Sequence, residues 1–394
     1  MNSYKCIFYN ENNKREVQRV ILETEQDVIK YATKNNYRIA SIEKELNLLR
    51  ESNITYKELR ILCNEMGILL ESGCEITKLF EMVRLNSNKK VSKVLDQISN
   101  YIQKGNSISE AFQKTNKFSK FFTSMIKAGE ISGNLDIVMT RLSQYYDKEY
   151  KLKSKIKSML IYPVFLIILA MISSLFIFVS IIPNFQTIFI NNGLNPPVFT
   201  KILINLSIFI RSYFAYILVL NILLICFIFY KIKTSNKVKE YIEKIQLKIP
   251  IIKNITKLLI TTKFSRAFYI LNKSGIEIIE SIEISSQVVD NHILYNEILN
   301  CKENIRRGST IGESLSLVQI FPDLFLKMIG IGEESGSLDK TLSMLSKFYE
   351  EELENKIDQG MKIIEPIIIV TVSIVIGAVI IAMLLPMFDA ITAI

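Results

Sequence analysis

The amino-acid sequence predicts a mainly α polytopic membrane protein: two repeated cytoplasmic antiparallel helical bundles, three transmembrane helices and a small N-terminal α/β module. Three observations lead there. Three nearly uncharged runs are each long enough to cross a bilayer, which takes about 20 helical residues for ~30 Å of hydrocarbon. Lysines crowd one side of those runs. The chain also repeats itself, at a spacing of 203 residues.

In chain order, residues 1–50 read as the α/β module. Tyr4–Tyr9, Val17–Glu23 and Tyr37–Ile42 read as short strands and Thr24–Asn35 as a helix. Met1–Asn10 is polar, so no secretory signal is expected. Residues 53–158 are the first bundle. Breaks at Ser72-Gly73, Lys104-Gly105-Asn106 and Gly129–Asn134 divide it into five or six antiparallel helices. Transmembrane helix 1 is expected over 159–183, an extracytoplasmic loop over 184–205 and transmembrane helix 2 over 206–230. A basic cytoplasmic linker at 231–254 leads to the second bundle at 255–362. Transmembrane helix 3 at 363–388 and an extracytoplasmic tail at 389–394 complete the chain.

Direction follows from the lysines. Lys148, Lys151, Lys153, Lys155 and Lys157 precede the first span, and Lys231, Lys233, Lys237 and Lys239 follow the second. Only Lys201 and Arg211 lie between. The positive-inside rule puts the N-terminus and both bundles in the cytoplasm, as in a multi-pass inner (cytoplasmic) membrane protein. The chain has 394 residues and a formal charge of +9, with 49% apolar and 22% charged residues. That is too apolar for disorder and too charged for membrane helices alone. Residues 1–157 hold 27 basic against 19 acidic side chains, and residues 231–365 hold 19 of each. The excess borders apolar runs, so the lipid membrane is the expected partner and nucleic acid is not.

The repeat keeps one register through soluble and membrane regions. Gly105, Glu110, Phe118, Phe122 and Met125 return as Gly308, Glu313, Phe321, Phe325 and Met328. Leu142, Tyr146 and Glu149 return as Leu345, Tyr349 and Glu352. The membrane-border prolines Pro163 and Pro183 return as Pro366 and Pro386. At a shift of 202, Leu69, Ser72 and Gly73 match Leu271, Ser274 and Gly275. Most prominent is a turn: Gly129, Glu130, Ser132 and Gly133 match Gly332, Glu333, Ser335 and Gly336. It reads as a helix–helix turn. Gly133 and Gly336 reach left-handed backbone angles, Asn134 or Ser337 caps the next helix, and Asp136 or Asp339 meets its dipole.

Little material for catalysis is visible. The five cysteines form no C-x-x-C pair, His292 is the one histidine, and no G-x-x-x-x-G-K-[ST] occurs. No catalytic residue, metal or cofactor is expected. Gly330-Ile-Gly332-Glu-Glu-Ser-Gly336 has the glycines of a nucleotide loop but carries acids where phosphate would sit. Glu130 and Glu333 read as hydrogen-bonding turn acids, with a divalent ion or basic partner as the alternative. Asn205 and Asn221 lie in or near span two, where Asn221 could bridge spans.

The repeats disagree at the stems entering spans one and three. Aligned at 203, the first stem has Asp147, Lys148, Lys151, Lys153, Lys155 and Lys157 and the second has Glu350, Glu351, Glu354, Lys356, Asp358 and Gly360, so one is basic and the other mixed to acidic. One reading gives the lysines to anionic lipid. The other pairs the stems, with Lys148, Lys151, Glu351 and Glu354 as candidate partner-binding residues, within a chain or across a dimer.

The duplicated Gly-Glu-x-Ser-Gly-x-Leu turn, Phe264-x-Arg266…Leu271-x-x-Ser274-Gly275, the paired Pro183-x-Phe185 and Pro386-x-Phe388 ends, and the Gly193…Pro196-Pro197…Thr200 loop carry a resemblance. In these the chain resembles the inner-membrane platform proteins of type II secretion systems (F) and type IV pili (C). Where that family has Arg-Gln near the opening of the first unit, this chain has Asn64-Glu65. The resemblance implies a non-enzymatic scaffold that forms a homodimer or higher homo-oligomer. It would couple a cytoplasmic assembly ATPase to the movement of pilin or pseudopilin membrane helices into a filament. The alternative is the membrane component of a small-solute transporter, which should show more spans and midplane polar residues.

Overall fold

A computed structural model of the chain describes residues 2–9, 15–22, 29, 32–33, 37–45, 54–191, 198–234, 236–246, 248–289 and 291–392. It divides into two units, Met1–Ile54 and Thr55–Ile394. The small unit is a three-stranded antiparallel sheet of β1 (Asn2–Tyr9), β2 (Arg15–Leu22) and β3 (Arg38–Glu45), in the order β2-β1-β3. Cys6 lies opposite Gln18 on one side and Ile42 on the other, and is fully buried. Most of the helix expected over 24–35 lies outside the described residues.

The large unit opens with α1 (Tyr56–Glu71), α2 (Ile76–Asn86), α3 (Lys89–Gln103), α4 (Ile108–Lys114) and α5 (Lys120–Ser132). Local sequence sets the starts. Thr55 and Ser107 cap α1 and α4 through capping boxes with Glu58 and Glu110, and Asn88 caps α3. Then comes α6 (Leu135–Phe176), 42 residues long, which carries the bundle straight into an apolar helix. The second copy is built from α10 (Pro250–Lys273), α11 (Ile278–Val289), α12 (His292–Arg306), α13 (Ile311–Ser316), α14 (Asp323–Glu334) and α15 (Leu338–Thr392). Between the copies lie α7 (Ile182–Asn191), α8 (Val198–Thr234) and α9 (Asn236–Gln246).

The repeat is realised in packing, not only in sequence. The rings of Phe118 and Phe122 are 4.6 Å apart, and their equivalents Phe321 and Phe325 are 4.8 Å apart. Phe122 meets Tyr146 at 6.4 Å, and Phe325 meets Tyr349 at 6.0 Å. Each copy therefore closes on the same aromatic cluster, where buried rings dominate core energetics.

Two stretches, Leu135–Asn184 and Leu338–Ile381, are helical and apolar enough to cross a membrane. Pro163 and Pro366 lie inside these helices rather than at their ends, and Pro386 lies inside α15. Pro183 is the second residue of α7, next to a π-helical turn at Ile177–Ile181. The turn and the proline are linked. In a π turn the N–H five residues on would bond the Phe178 carbonyl, and that residue is Pro183, which has none. Ser207 of α8 donates its hydroxyl to the Phe178 carbonyl instead. Nearby, Ile182, Ile204 and Val379 bury one another where α7, α8 and α15 meet. Asn205 and Asn221 are exposed on α8.

Two expected boundaries differ. The loop expected over 184–205 is helical at 184–191 and again from Val198, because its proline and glycine signals are confined to Gly193–Pro197, which lies outside the described residues. The linker expected over 231–254 is also mostly helical. Pro250 supplies the fixed φ of a helix start, so α10 begins there and not at 255.

Candidate functional site: the turns and the seam between the repeats

Each residue of the duplicated turn has a separate task. Gly133 and Gly336 have φ of +74° and +62°, a left-handed conformation that side chains with a Cβ resist. Gly129 and Gly332 are inside their helices and permit close packing. A Cβ on Gly129 would lie 2.9 Å from Val138 Cγ2, and one on Gly332 would lie 2.7 Å from Thr341 Oγ1. Ser132 and Ser335 donate back to the carbonyls of Gly129 and Ile331 in their own helices.

The two glutamates do not act within their turns. Glu130 Oε1 accepts from the Ile108 amide at 2.7 Å, and Oε2 accepts from the Ser109 amide at 3.1 Å and the Ser109 hydroxyl at 2.7 Å. Glu333 accepts from the amides of Ile311 at 2.9 Å and Gly312 at 3.1 Å. Each carboxylate therefore occupies the N-terminus of the short helix α4 or α13, satisfying amides that no helix can satisfy itself. The reach is 21–22 residues back along the chain, which a local reading misses. Nor do the expected caps form. Asn134 makes no side-chain cap bond, and the Ser337 hydroxyl pairs with that of Ser335.

A second polar cluster lies where the copies meet. Arg266 of α10, 4% exposed, donates from one guanidinium nitrogen to Glu149 of α6 at 2.6 Å and from another to Glu350 of α15 at 2.7 Å. Glu149 is itself 3% exposed. Lys263 approaches it at 3.8 Å. Glu350 also binds Lys148 at 2.7 Å. Buried charges of this kind are tolerated only when paired and hydrogen-bonded. Beside it, Arg141 donates to the Lys273 carbonyl at 3.0 Å and to the Ser274 hydroxyl at 2.9 Å, and Lys120 pairs with Glu283 at 3.2 Å.

Toward the membrane the stems α6 and α15 run side by side within one chain. Lys148 binds Glu350, Lys155 binds Glu354 at 3.1 Å and Asp358 at 3.2 Å, and Tyr162 donates to Glu365 at 3.2 Å. The first-stem residues are seven apart, the spacing that keeps one helix face on its partner. Burial pulls the Lys155 ammonium down, but its two carboxylates outweigh that and hold it above the usual lysine range. Lys151 and Glu351 are not part of this ladder. Lys151 lies between Lys148 and Lys155 on the same side of α6, but its ammonium turns out to solvent and bonds Asp147 of its own helix at 2.7 Å, while Glu351 is exposed. Glu149 and Arg266 are the residues that sequence reasoning did not single out as a pair. They lie 117 positions apart, and only their places in the repeat and in Phe264-x-Arg266 marked them.

The family described as Type II secretion system (T2SS), protein F matches residues 62–183 and again 264–386, once for each bundle and the helix that leaves it. The type IV pilus assembly protein PilC of Pseudomonas aeruginosa is 28% identical over 335 residues, covering 84% of this chain and 89% of that protein. PilC of Thermus thermophilus is 29% identical over 339 residues, covering 85% and 83%. Type II secretion system protein F of Vibrio cholerae is 25% identical over 338 residues, again covering 85% and 83%. The duplicated bundle-and-helix unit and the two family matches coincide, and the chain belongs to the type II secretion system protein F family.

Proposed function

We propose that this protein is the inner-membrane platform of a type IV pilus or type II secretion machine, where it couples a cytoplasmic assembly ATPase to polymerisation of pilins or pseudopilins. The observation that carries this reading is mechanical. In both copies one uninterrupted helix, α6 or α15, joins a cytoplasmic bundle to an apolar membrane segment. A load applied to the bundles reaches the bilayer without a flexible joint. The names of the relatives, pilus assembly and secretion proteins, support the same assignment.

In this reading the chain crosses the membrane three times, with α8 as the second span. The bundles at 53–158 and 255–362 face the cytoplasm with the N-terminal α/β module, and the C-terminus lies outside. The lysine asymmetry supports this direction. The chain acts as a homo-oligomer and not as an enzyme. The turn residues serve the fold, and the stems set how the two copies meet. The test is recovery of the intact protein from membranes, asking whether an assembly ATPase and a prepilin accompany it, together with filament assembly in a deletion strain. Loss of the gene with filaments and secretion unchanged overturns the assignment. A reporter after Ile394 that scores as cytoplasmic overturns the topology.

A further inference from the structure

Two clefts lie along the seam between the copies, and their charge differs. The one nearer the membrane, of about 440 Å³, is lined by Lys148, Lys151 and Lys155 but also by Glu350 and Glu354. The other, of about 250 Å³, is lined by Arg141, Lys148, Arg266, Lys273 and Lys347 with no carboxylate in its wall. Two of these cations are answered from behind, since Glu149 and Glu350 bind Arg266 and Glu350 binds Lys148. Among the described residues the other three have no such answer: Arg141 bonds the neutral oxygens of Lys273 and Ser274, Lys273 bonds the Tyr269 hydroxyl at 3.0 Å, and Lys347 makes no ion pair. Tyr269 reports the resulting field. The Lys273 ammonium bonded to it, with a contribution from the Arg141 charge, holds its phenol below the usual tyrosine range.

A concave wall with three unanswered cations favours an anion of matching charge. A single carboxylate has one charge and two oxygens. A phosphate offers two charges and three or more acceptor oxygens to a guanidinium, two ammonium groups and the Ser343 hydroxyl that also lines the cleft. The volume of about 250 Å³ suits one or two phosphate groups. Arg141 comes from the first copy, Lys273 and Lys347 from the second. An anion seated there would tie the copies together at the same seam as Arg266.

We propose that this cleft binds a compact phosphate group between the two repeats through Arg141, Lys273 and Lys347, supplied either by free pyrophosphate or by the tail of a nucleotide. The proposal does not depend on the platform reading, because it concerns the isolated chain. The experiment is calorimetric titration of the full chain in detergent, at low salt, with inorganic pyrophosphate, ADP and citrate. Pyrophosphate should bind, and the triple variant Arg141→Gln, Lys273→Gln, Lys347→Gln should weaken it tenfold or more. A variant with equal charge loss on exposed lysines of the first bundle, Lys89→Gln, Lys93→Gln, Lys127→Gln, should bind as the parent does. ADP binding more tightly than pyrophosphate assigns a nucleotide, and equal binding assigns the phosphate alone; either supports the site. If the first triple variant misfolds, Lys347→Gln alone should still weaken binding about threefold, since that side chain is exposed. No binding of either phosphate, citrate binding as well as pyrophosphate, or equal losses in both triple variants overturns the proposal.

Discussion

The two copies close on the same aromatic core, yet the helix that opens each is tied down differently. In the first, α1 runs 16 residues from a capping box, and Arg60 pairs with Asp147 of α6 at 3.1 Å. In the second, α10 runs 24 residues from Pro250, and Thr262, in the place of Arg60 at the shift of 202, donates to the Tyr349 carbonyl of α15 at 2.9 Å. Both solutions fasten opening helix to stem. Their consequence differs. Asp147 is spent inside its own copy, while its equivalent Glu350 is free to face Arg266 and Lys148. Likewise Arg266 has Asn64 as its counterpart, and Asn64 is exposed. Duplication preserved what packs and let diverge what pairs, so the chain holds one ionic seam and not two symmetrical ones.

The sharpest way to break this comparison is at Arg266. Arg266→Met leaves the buried Glu149 with only Lys263, 3.8 Å away, and should cost about 3–5 kcal/mol. The matching change in the first copy, Asn64→Met, should cost little because that side chain is exposed. Adding Glu149→Leu to Arg266→Met should recover most of the loss. The readout is the denaturant midpoint of the full chain in detergent. Equal effects at positions 64 and 266 would mean that the seam is not asymmetric in energy.

The turn glutamates offer a finer test, since both copies use them alike. Glu130→Ala and Glu333→Ala each leave two helix-start amides unsatisfied, at a cost of about 1–3 kcal/mol. Glu130 also binds a hydroxyl, so its loss should be the larger of the two. Protease cleavage near α4 and α13 would reveal the order. The glycines come next. Gly133→Val and Gly336→Val force a branched side chain into left-handed backbone, which costs about 1–2 kcal/mol. Unchanged melting of either variant would remove that account of the turn.

Acid should separate the copies. Burial alone would raise Glu58, but bonds from the Thr55 amide, Asn88, the Thr55 hydroxyl and Lys90 win and bring its carboxyl to about 2. A depressed folded value stabilises above the unfolded value of 4.5 and is lost as pH falls toward 2. Amide exchange in α1 should therefore rise, relative to α10, between those limits. Glu58→Gln should abolish the difference. The second copy starts on a proline and lacks such a cap.

How much of this was legible depended on distance along the chain. The copy register and its aromatic core follow from matched positions such as Phe118 and Phe321. The left-handed glycines follow from a turn between two periodic helices. Glu130 was legible as a hydrogen-bonding acid, but its partners Ile108 and Ser109 stand across the bundle, where no local pattern points. Ser207 could not be assigned without knowing that Pro183 follows a π turn and orphans the Phe178 carbonyl. The stems were legible as a charge mismatch. Their register was not, because side chains on one face still choose between partners: Lys148 and Lys155 reach the other stem, whereas Lys151 between them turns to Asp147 of its own helix.

That choice of partner carries the smallest energy and the most specific test. Lys155 is 31% exposed and its partners Glu354 and Asp358 are 57% and 40% exposed, so the rung contributes about 0–1 kcal/mol. Its effect should lie in register more than in stability. Lys155→Glu places three carboxylates together and should loosen the stems; adding Glu354→Lys and Asp358→Lys should draw them back. Melting should barely move in any of these, whereas cross-linking should. Cysteines at Lys155 and Asp358, or at Tyr162 and Glu365, should join within one chain through a short bismaleimide, with the link located by peptide mass. Cysteines at Lys151 and Glu351 should not, because neither side chain is on the ladder. Bonds forming between chains but not within one would move the ladder to an oligomer interface. Equal yields for all three pairs would mean that the stems rotate freely and that charge does not set how they meet.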